Sequence, residues 1–171
     1  MTNLRSMTGR ELQWVRPGAF KRHYELRSGD TVVGELGFER SVGWTASGKT
    51  GEGTWNFDRS GFLRSRITVR DTASTNEVGA FSEKFVRRKE EILLPDGSSY
   101  AIGVNGFRSR FTLETPTGET LAVVQRRGFF RVVWHVEVRY KAKSIPELPW
   151  LVLLVWYYIL ILRSRARRGH G

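Results

Sequence analysis

The 171-residue chain has no cysteine, only three histidines and only five prolines. Without cysteine there is no disulfide framework, no thiol nucleophile and no thiolate-ligated zinc or iron–sulfur centre. His23, His135 and His170 are too scattered to suggest a histidine metal site. Asp58, Asp71 and Asp96 stand singly, without the oxygen-ligand spacing that calcium needs. No two acids are placed as a general acid–base couple, and neither His23 nor His135 has a nucleophile and orienting acid in a local pattern. Residues 1–19 hold no apolar core of the secretory-leader type. From these absences we expect a protein that is not an enzyme and has no cofactor or metal. Acids are also scarce: 17 against 28 lysines and arginines, a formal charge of +11. That balance favours anionic partners, a phospholipid surface or nucleic acid. Arginine outnumbers lysine 22 to 6, which suits bidentate phosphate contacts wherever the arginines cluster.

What the chain has in quantity is strand texture. Residues 1–19 read as a loose lead-in or as a first strand through Leu12, Trp14 and Val15. From Phe20 to Tyr140 no segment keeps a helical period for three turns, and apolar residues alternate with polar ones between Gly-containing turns. Val132, Trp134, Val136, Val138 and Tyr140 point one way, with Arg131, His135, Glu137 and Arg139 opposite. Leu63, Ser65, Ile67 and Val69 oppose Arg64, Arg66, Thr68 and Arg70. Phe107, Ser109, Phe111 and Leu113 oppose Arg108, Arg110, Thr112 and Glu114. Hairpins turn at Gly29, Gly61, Gly97 and Gly118, two of them through Pro95-Asp96-Gly97 and Pro116-Thr117-Gly118. Ten to twelve such strands in about 120 residues require a closed barrel or a tight sandwich.

The C-terminal segment is of another kind. Trp150 to Leu162 is an unbroken apolar run, preceded by Pro146 and Pro149 and followed by Arg163, Arg165, Arg167 and Arg168. Proline suits the first turn of a helix and arginine the last. Thirteen residues of helix span about 20 Å, short of the roughly 30 Å hydrocarbon core of a bilayer. A helix apolar on every side lies in lipid or is surrounded by protein. The readings are a helix of about 147–165 threaded through the barrel, a short tail anchor, or a buried strand pair; the length favours the first. Trp150, Leu151, Leu154, Trp156, Tyr157, Ile159 and Ile161 are then its core side chains, and 166–171 is a basic tail.

Repeated hairpins followed by one wholly apolar helix resemble the superfamily of the tubby C-terminal domain, the plant LURP-one-related proteins and the phospholipid scramblases. The resemblance covers roughly residues 20–165. It rests on YELRSGDTVVGEL, its later echo FTLETPTGETLAVV, the strand FRVVWHVEV and above all LPWLVLLVWYYILIL. It implies a mainly β fold, a closed antiparallel barrel of about twelve strands around a buried hydrophobic C-terminal helix. It also implies membrane-facing roles, phosphoinositide binding among them.

Two further features bear on function. Gly43-Trp44-Thr45-Ala46-Ser47-Gly48-Lys49-Thr50 satisfies the phosphate-loop pattern G-x-x-x-x-G-K-[ST], whose chemistry needs a helix opening just after it. Here Gly51-Glu52-Gly53 and strand texture follow, so we read a mobile Gly-rich loop between strands, whose glycines and Lys49 would suit a lipid headgroup too. Basic residues also recur on the outward faces: Arg64, Arg66 and Arg70; Arg87, Arg88 and Lys89; Arg108 and Arg110; Arg126, Arg127 and Arg131. Arg64, Arg66, Arg70, Arg108, Arg110 and Lys49 are the candidate headgroup or anion ligands. Phe107 and Phe111 alternate away from the arginines and read as core, which counts against nucleic acid. Trp44, Trp55, Trp134, Trp150 and Trp156 read as core filling. The expected role is a non-enzymatic module binding anionic phospholipid, cytoplasmic and peripheral at the membrane. A tail-anchored location, and a structural or protein-interaction module with a protein partner and no lipid role, stand as alternatives, with nucleic-acid binding behind them.

Overall fold

The computed structural model describes residues 1–84 and 88–169. Twelve strands follow one another: β1 (Glu11–Val15), β2 (His23–Ser28), β3 (Thr31–Phe38), β4 (Ala46–Thr50), β5 (Gly53–Ser60), β6 (Arg66–Asp71), β7 (Glu77–Ser82), β8 (Lys89–Leu93), β9 (Ser99–Val104), β10 (Arg110–Glu114), β11 (Thr120–Arg127) and β12 (Val133–Val138). Each pairs antiparallel with its neighbours in sequence, and β1 pairs with β12 to close a barrel, Trp14 opposite Trp134. The first strand therefore lies inside the segment 1–19, and a short 3-10 turn (Leu4–Met7) precedes it with Leu4 and Met7 buried. The seam between β7 and β8 is the thinnest in the wall, one registered pair, Ala80 opposite Leu93.

One helix, α1 (Leu148–Arg168), runs through the barrel, and every residue from Leu148 to Leu162 is buried. Its apolar circumference has a partner on all sides because the wall surrounds it. By length and composition it could cross a membrane, but 83 % of its most apolar stretch lies inside the barrel. Trp150, Leu151, Leu154, Trp156, Tyr157, Ile159 and Ile161 are all core. The helix continues to Arg168, so half of the segment read as a basic tail is its last turn.

Strand faces hold where strands are long enough to impose them. Trp134, Val136, Val138, Ile67, Val69, Phe111 and Leu113 are buried as the alternation requires. Leu63, Phe107, Val132 and Tyr140 are exposed, against that expectation. Each lies outside its strand, so the period of two does not reach it.

Gly48 faces the helix. A side chain there would place its Cβ 2.7 Å from Phe57 and 2.9 Å from Leu153, so the absence of a side chain sets how closely β4 approaches α1. Gly43–Thr50 is thus not a single Gly-rich loop: its second half is β4, and no helix begins after it.

One buried acid makes stability depend on pH. Glu90 on β8 is 2 % exposed. Its Oε1 accepts the Lys84 amide at 3.0 Å and the Tyr158 hydroxyl at 3.3 Å. Burial raises its pKa above the ordinary 4.5, outweighing these hydrogen bonds. Its contribution is therefore fully present below the ordinary value and lost as pH rises through the raised one. Glu90→Gln, which keeps the acceptor, should melt higher than the parent at pH 7. That advantage should vanish at pH 4 in parallel thermal melts, and an unchanged gap would contradict it.

Candidate functional site

The meander sorts the loops by end. Those joining β1–β2 (16–22), β3–β4 (39–45), β5–β6 (61–65), β9–β10 (105–109) and β11–β12 (128–132) all lie at one end, the mouth. The tight turns lie at the other. Since β12 runs away from the mouth, α1 enters at the turn end and brings its arginine-rich C-terminus back to the mouth.

The connections between strands differ in chemistry at the two ends, while Arg5 before β1 and Lys141 after β12 pair with Glu52 and Glu119 at the turn end. The turns between strands at the turn end carry Asp30, Glu52, Asp96 and Glu119 and no lysine or arginine. At the mouth, Phe20, Phe62, Phe107, Phe129 and Phe130 are 91 to 100 % exposed, and Val42, Leu63 and Val132 are exposed with them. Among the described residues, only Met1, Leu93 and Tyr140 are exposed large hydrophobics elsewhere. Singly exposed apolar residues need no explanation, but a set gathered at one end marks a contact surface. Basic residues alternate with them: Lys21 after Phe20, Arg64 after Leu63, Arg108 after Phe107, Arg131 after Phe130.

The tips are exposed while the loop bases are fixed. Arg22 donates to the carbonyls of Arg40, Ser41 and Gly43, the last at 2.8 Å, with its guanidinium 4.0 Å from the Phe38 ring centre. The buried Tyr157 hydroxyl donates to the Trp44 carbonyl, tying loop 39–45 to the helix. Arg59 donates to Ser65 Oγ at 2.6 Å and Ser65 Oγ to the Gly61 carbonyl at 3.3 Å, closing loop 61–65 at its base.

To one side of the mouth, between the end of α1, strands β1 and β2 and loop 39–45, is a cavity of about 660 Å³, which Val42 and Val132 of the exposed set border. Its floor is aromatic: Trp156 stacks on Trp14 at 5.1 Å and 7°, with Tyr24 and Trp134 edge-on at 5.7 and 5.8 Å. Arg16, Arg22, Arg163, Arg167 and Arg168 line it, and no carboxylate does. Burial lowers the pKa of both Arg22 and Arg163 from the ordinary guanidinium value.

No known protein family, curated protein or solved structure matches this chain.

The six candidate ligands do not form one patch. Arg64 and Arg108 lie in mouth loops, Arg66 and Arg110 at the mouth ends of β6 and β10. Arg66 is held by Glu77 at 2.9 Å. Arg70 and Lys49 lie toward the turn end of their strands, Lys49 opposite Glu35. Of the other basic residues, Arg87 lies outside the described residues, as does His170. Phe107, read as core, is a loop tip beside Arg108, so the aromatic argument against nucleic acid does not stand. Trp55, Trp134, Trp150 and Trp156 are core as read, and Trp44 packs against the core at the mouth. His135 Nδ1 faces Glu11 at 2.9 Å, and Glu137 pairs with Arg139. His23, Glu25 and Glu35 come together across β2 and β3, but Arg27 Nε holds the Glu25 carboxylate at 2.7 Å, making this an ion-pair cluster.

The exposed ring was missed, although the sequence spells it: Gly61-Phe62-Leu63-Arg64, Gly106-Phe107-Arg108 and Gly128-Phe129-Phe130-Arg131, with Gly18-Ala19-Phe20-Lys21 close to them. Recurrence of Gly, Phe and a base in four of the mouth loops, against Gly and an acid in four of the five opposite turns, was the available signal.

Proposed function

We propose that this chain is a non-enzymatic, membrane-peripheral module that seats the mouth of its barrel on an anionic phospholipid surface from the cytoplasmic side. The carrying observation is the ring of fully exposed phenylalanines alternating with arginines and lysine at one end only. Aromatic rings favour the membrane interface, and each basic residue near an anionic surface contributes about 1 kcal/mol, decaying within a Debye length. Fixed loop bases favour the same reading, because pre-ordered tips lose little entropy on insertion. Tubby-type proteins, which the layout resembles, would imply a membrane-facing role as well.

Co-sedimentation tests this. The protein should be retained on phosphatidylserine vesicles, not on neutral ones, and retention should weaken with salt. Phe62→Asp with Phe130→Asp should abolish it at physiological salt. Arg64→Glu should weaken it by more than the roughly fivefold of a lost charge, and Arg70→Glu, near the other end, should have little effect. Indifference to all vesicles at low salt would defeat the proposal. Tighter binding to a single-stranded oligonucleotide, or capture by an acidic protein that the Phe62 and Phe130 changes leave intact, would replace it.

A further inference from the structure

The cavity beside the end of α1 is more specific than a charged surface requires. Arg163 is half-buried beside the Trp134 ring, 5.9 Å from its centre. Arg16 lies 6.0 Å from the Tyr24 ring centre, and two of its donors are committed to the Lys21 and Ala19 carbonyls. Among the described residues, Arg16, Arg163, Arg167 and Arg168 have no carboxylate partner. Elsewhere the chain pairs its less exposed arginines, as Glu83 does for Arg59 and Arg165. Of the four without a carboxylate partner only Arg163 is partly buried, and a partly buried cation without counter-charge is costly unless an anion neutralises it. The exposed Arg16, Arg167 and Arg168 add to the positive field around it.

A second, independent observation is the floor. Trp14, Trp134 and Trp156 are at most 5 % exposed, and none of their indole N–H groups has a hydrogen-bond partner. Those nitrogens lie beneath the surface, so what the cavity's walls offer a ligand is positive charge above an aromatic floor, with no acid among them. We propose that this cavity binds a phosphate monoester, carried on a lipid headgroup or on a soluble ester. A monoester brings nearly two negative charges and three acceptor oxygens to such a set, and guanidinium groups can meet them two bonds at a time. A volume of about 660 Å³ leaves room for the esterified portion over the aromatic floor. The lipid form of this inference rests on the membrane reading; the soluble form does not.

Two measurements on the full chain separate the cases. The first compares retention on neutral vesicles doped with phosphatidic acid, a monoester, against phosphatidylglycerol, a diester, at matched surface charge. The second follows thermal melting with glycerol phosphate. Retention should favour phosphatidic acid by about tenfold, the worth of one charge-assisted contact, and glycerol phosphate should raise the melting temperature. Both effects should disappear in Arg163→Gln. They should also weaken in Arg167→Gln, which lies on the exposed last turn and spares the fold if the first variant does not. If neither vesicle retains the protein but glycerol phosphate still stabilises it, the membrane reading fails and the phosphate site stands. Equal retention on the two vesicles with no thermal shift overturns the site and leaves the membrane reading intact.

Discussion

A chain ending at Glu147 will not fold. Removal of α1 takes away fifteen consecutive buried residues, four of them aromatic: Trp150, Trp156, Tyr157 and Tyr158. Full burial of one large apolar side chain is worth about 1.5–3 kcal/mol, and a whole domain is stable by only about 5–15 kcal/mol. A few of the fifteen already exceed that margin. The wall cannot close the gap by collapsing, because its circumference is fixed by twelve paired strands and its inward side chains are spaced to meet the helix. Trp14, Tyr24 and Trp134 would lose Trp156, and Phe38 and Phe57 would lose Tyr157. The expected result is loss of near-ultraviolet circular dichroism and of any cooperative thermal transition. A soluble 1–147 fragment with a sharp melt would mean that the helix is a removable anchor, and the barrel reading of its role would fall.

The fold was legible because its two signals are of different kinds and do not compete. Alternation is a property of each strand taken singly, as in Trp134, Val136 and Val138. The run from Trp150 to Leu162 is apolar on all sides, which excludes a solvent-facing helix. A chain of this length with both features has few ways to bury the helix other than inside the strands. What failed was alternation carried past a strand's end. Leu63 and Phe107 sit in phase with Ile67 and Phe111, yet in each case two residues of turn precede the strand, and the turn rather than the pleat decides where those side chains go.

The site was less legible for a related reason. Outward arginines such as Arg64, Arg66 and Arg70 look equivalent along a strand, whereas in a barrel they are spread along its height, Arg64 at the mouth and Arg70 toward the turns. Which end a residue occupies depends on counting strands from the chain's start, and that count needs β1, the element that residues 1–19 left open. With β1 in place, most of the loops fall into an aromatic–basic set and a glycine–acid set, turn 72–76 belonging to neither. Arg167 and Arg168, read as tail, then join Arg163 in lining the mouth cavity.

Glu83 should be the most sensitive single polar position in the protein. Its side chain is 1 % exposed, and one oxygen, Oε2, stands 3.0 Å from Arg59 Nε and 2.8 Å from Arg165 Nη2. Arg59 continues to Ser65, and Ser65 to Gly61, so this carboxylate links the emerging end of α1 to the base of the loop that presents Phe62, Leu63 and Arg64. Glu83→Ala removes the negative charge and leaves two guanidinium groups facing one another in a half-buried space. Breaking a buried pair from one side costs about 3–5 kcal/mol, which for a chain of this size lowers the melting temperature by about 10 °C. Glu83→Gln keeps an acceptor and should cost less. Replacing the cluster's charges together should also cost less than replacing the acid alone: Glu83→Leu with Arg59→Met and Arg165→Met removes the uncompensated cations as well as the pair. Denaturant unfolding of the single, triple and parent proteins measures the difference. If Glu83→Ala unfolds within about 1 kcal/mol of the parent, the worth of an exposed pair, then the carboxylate is not the tie between helix and loop, and the fixed base argued for the Phe62 tip loses its support.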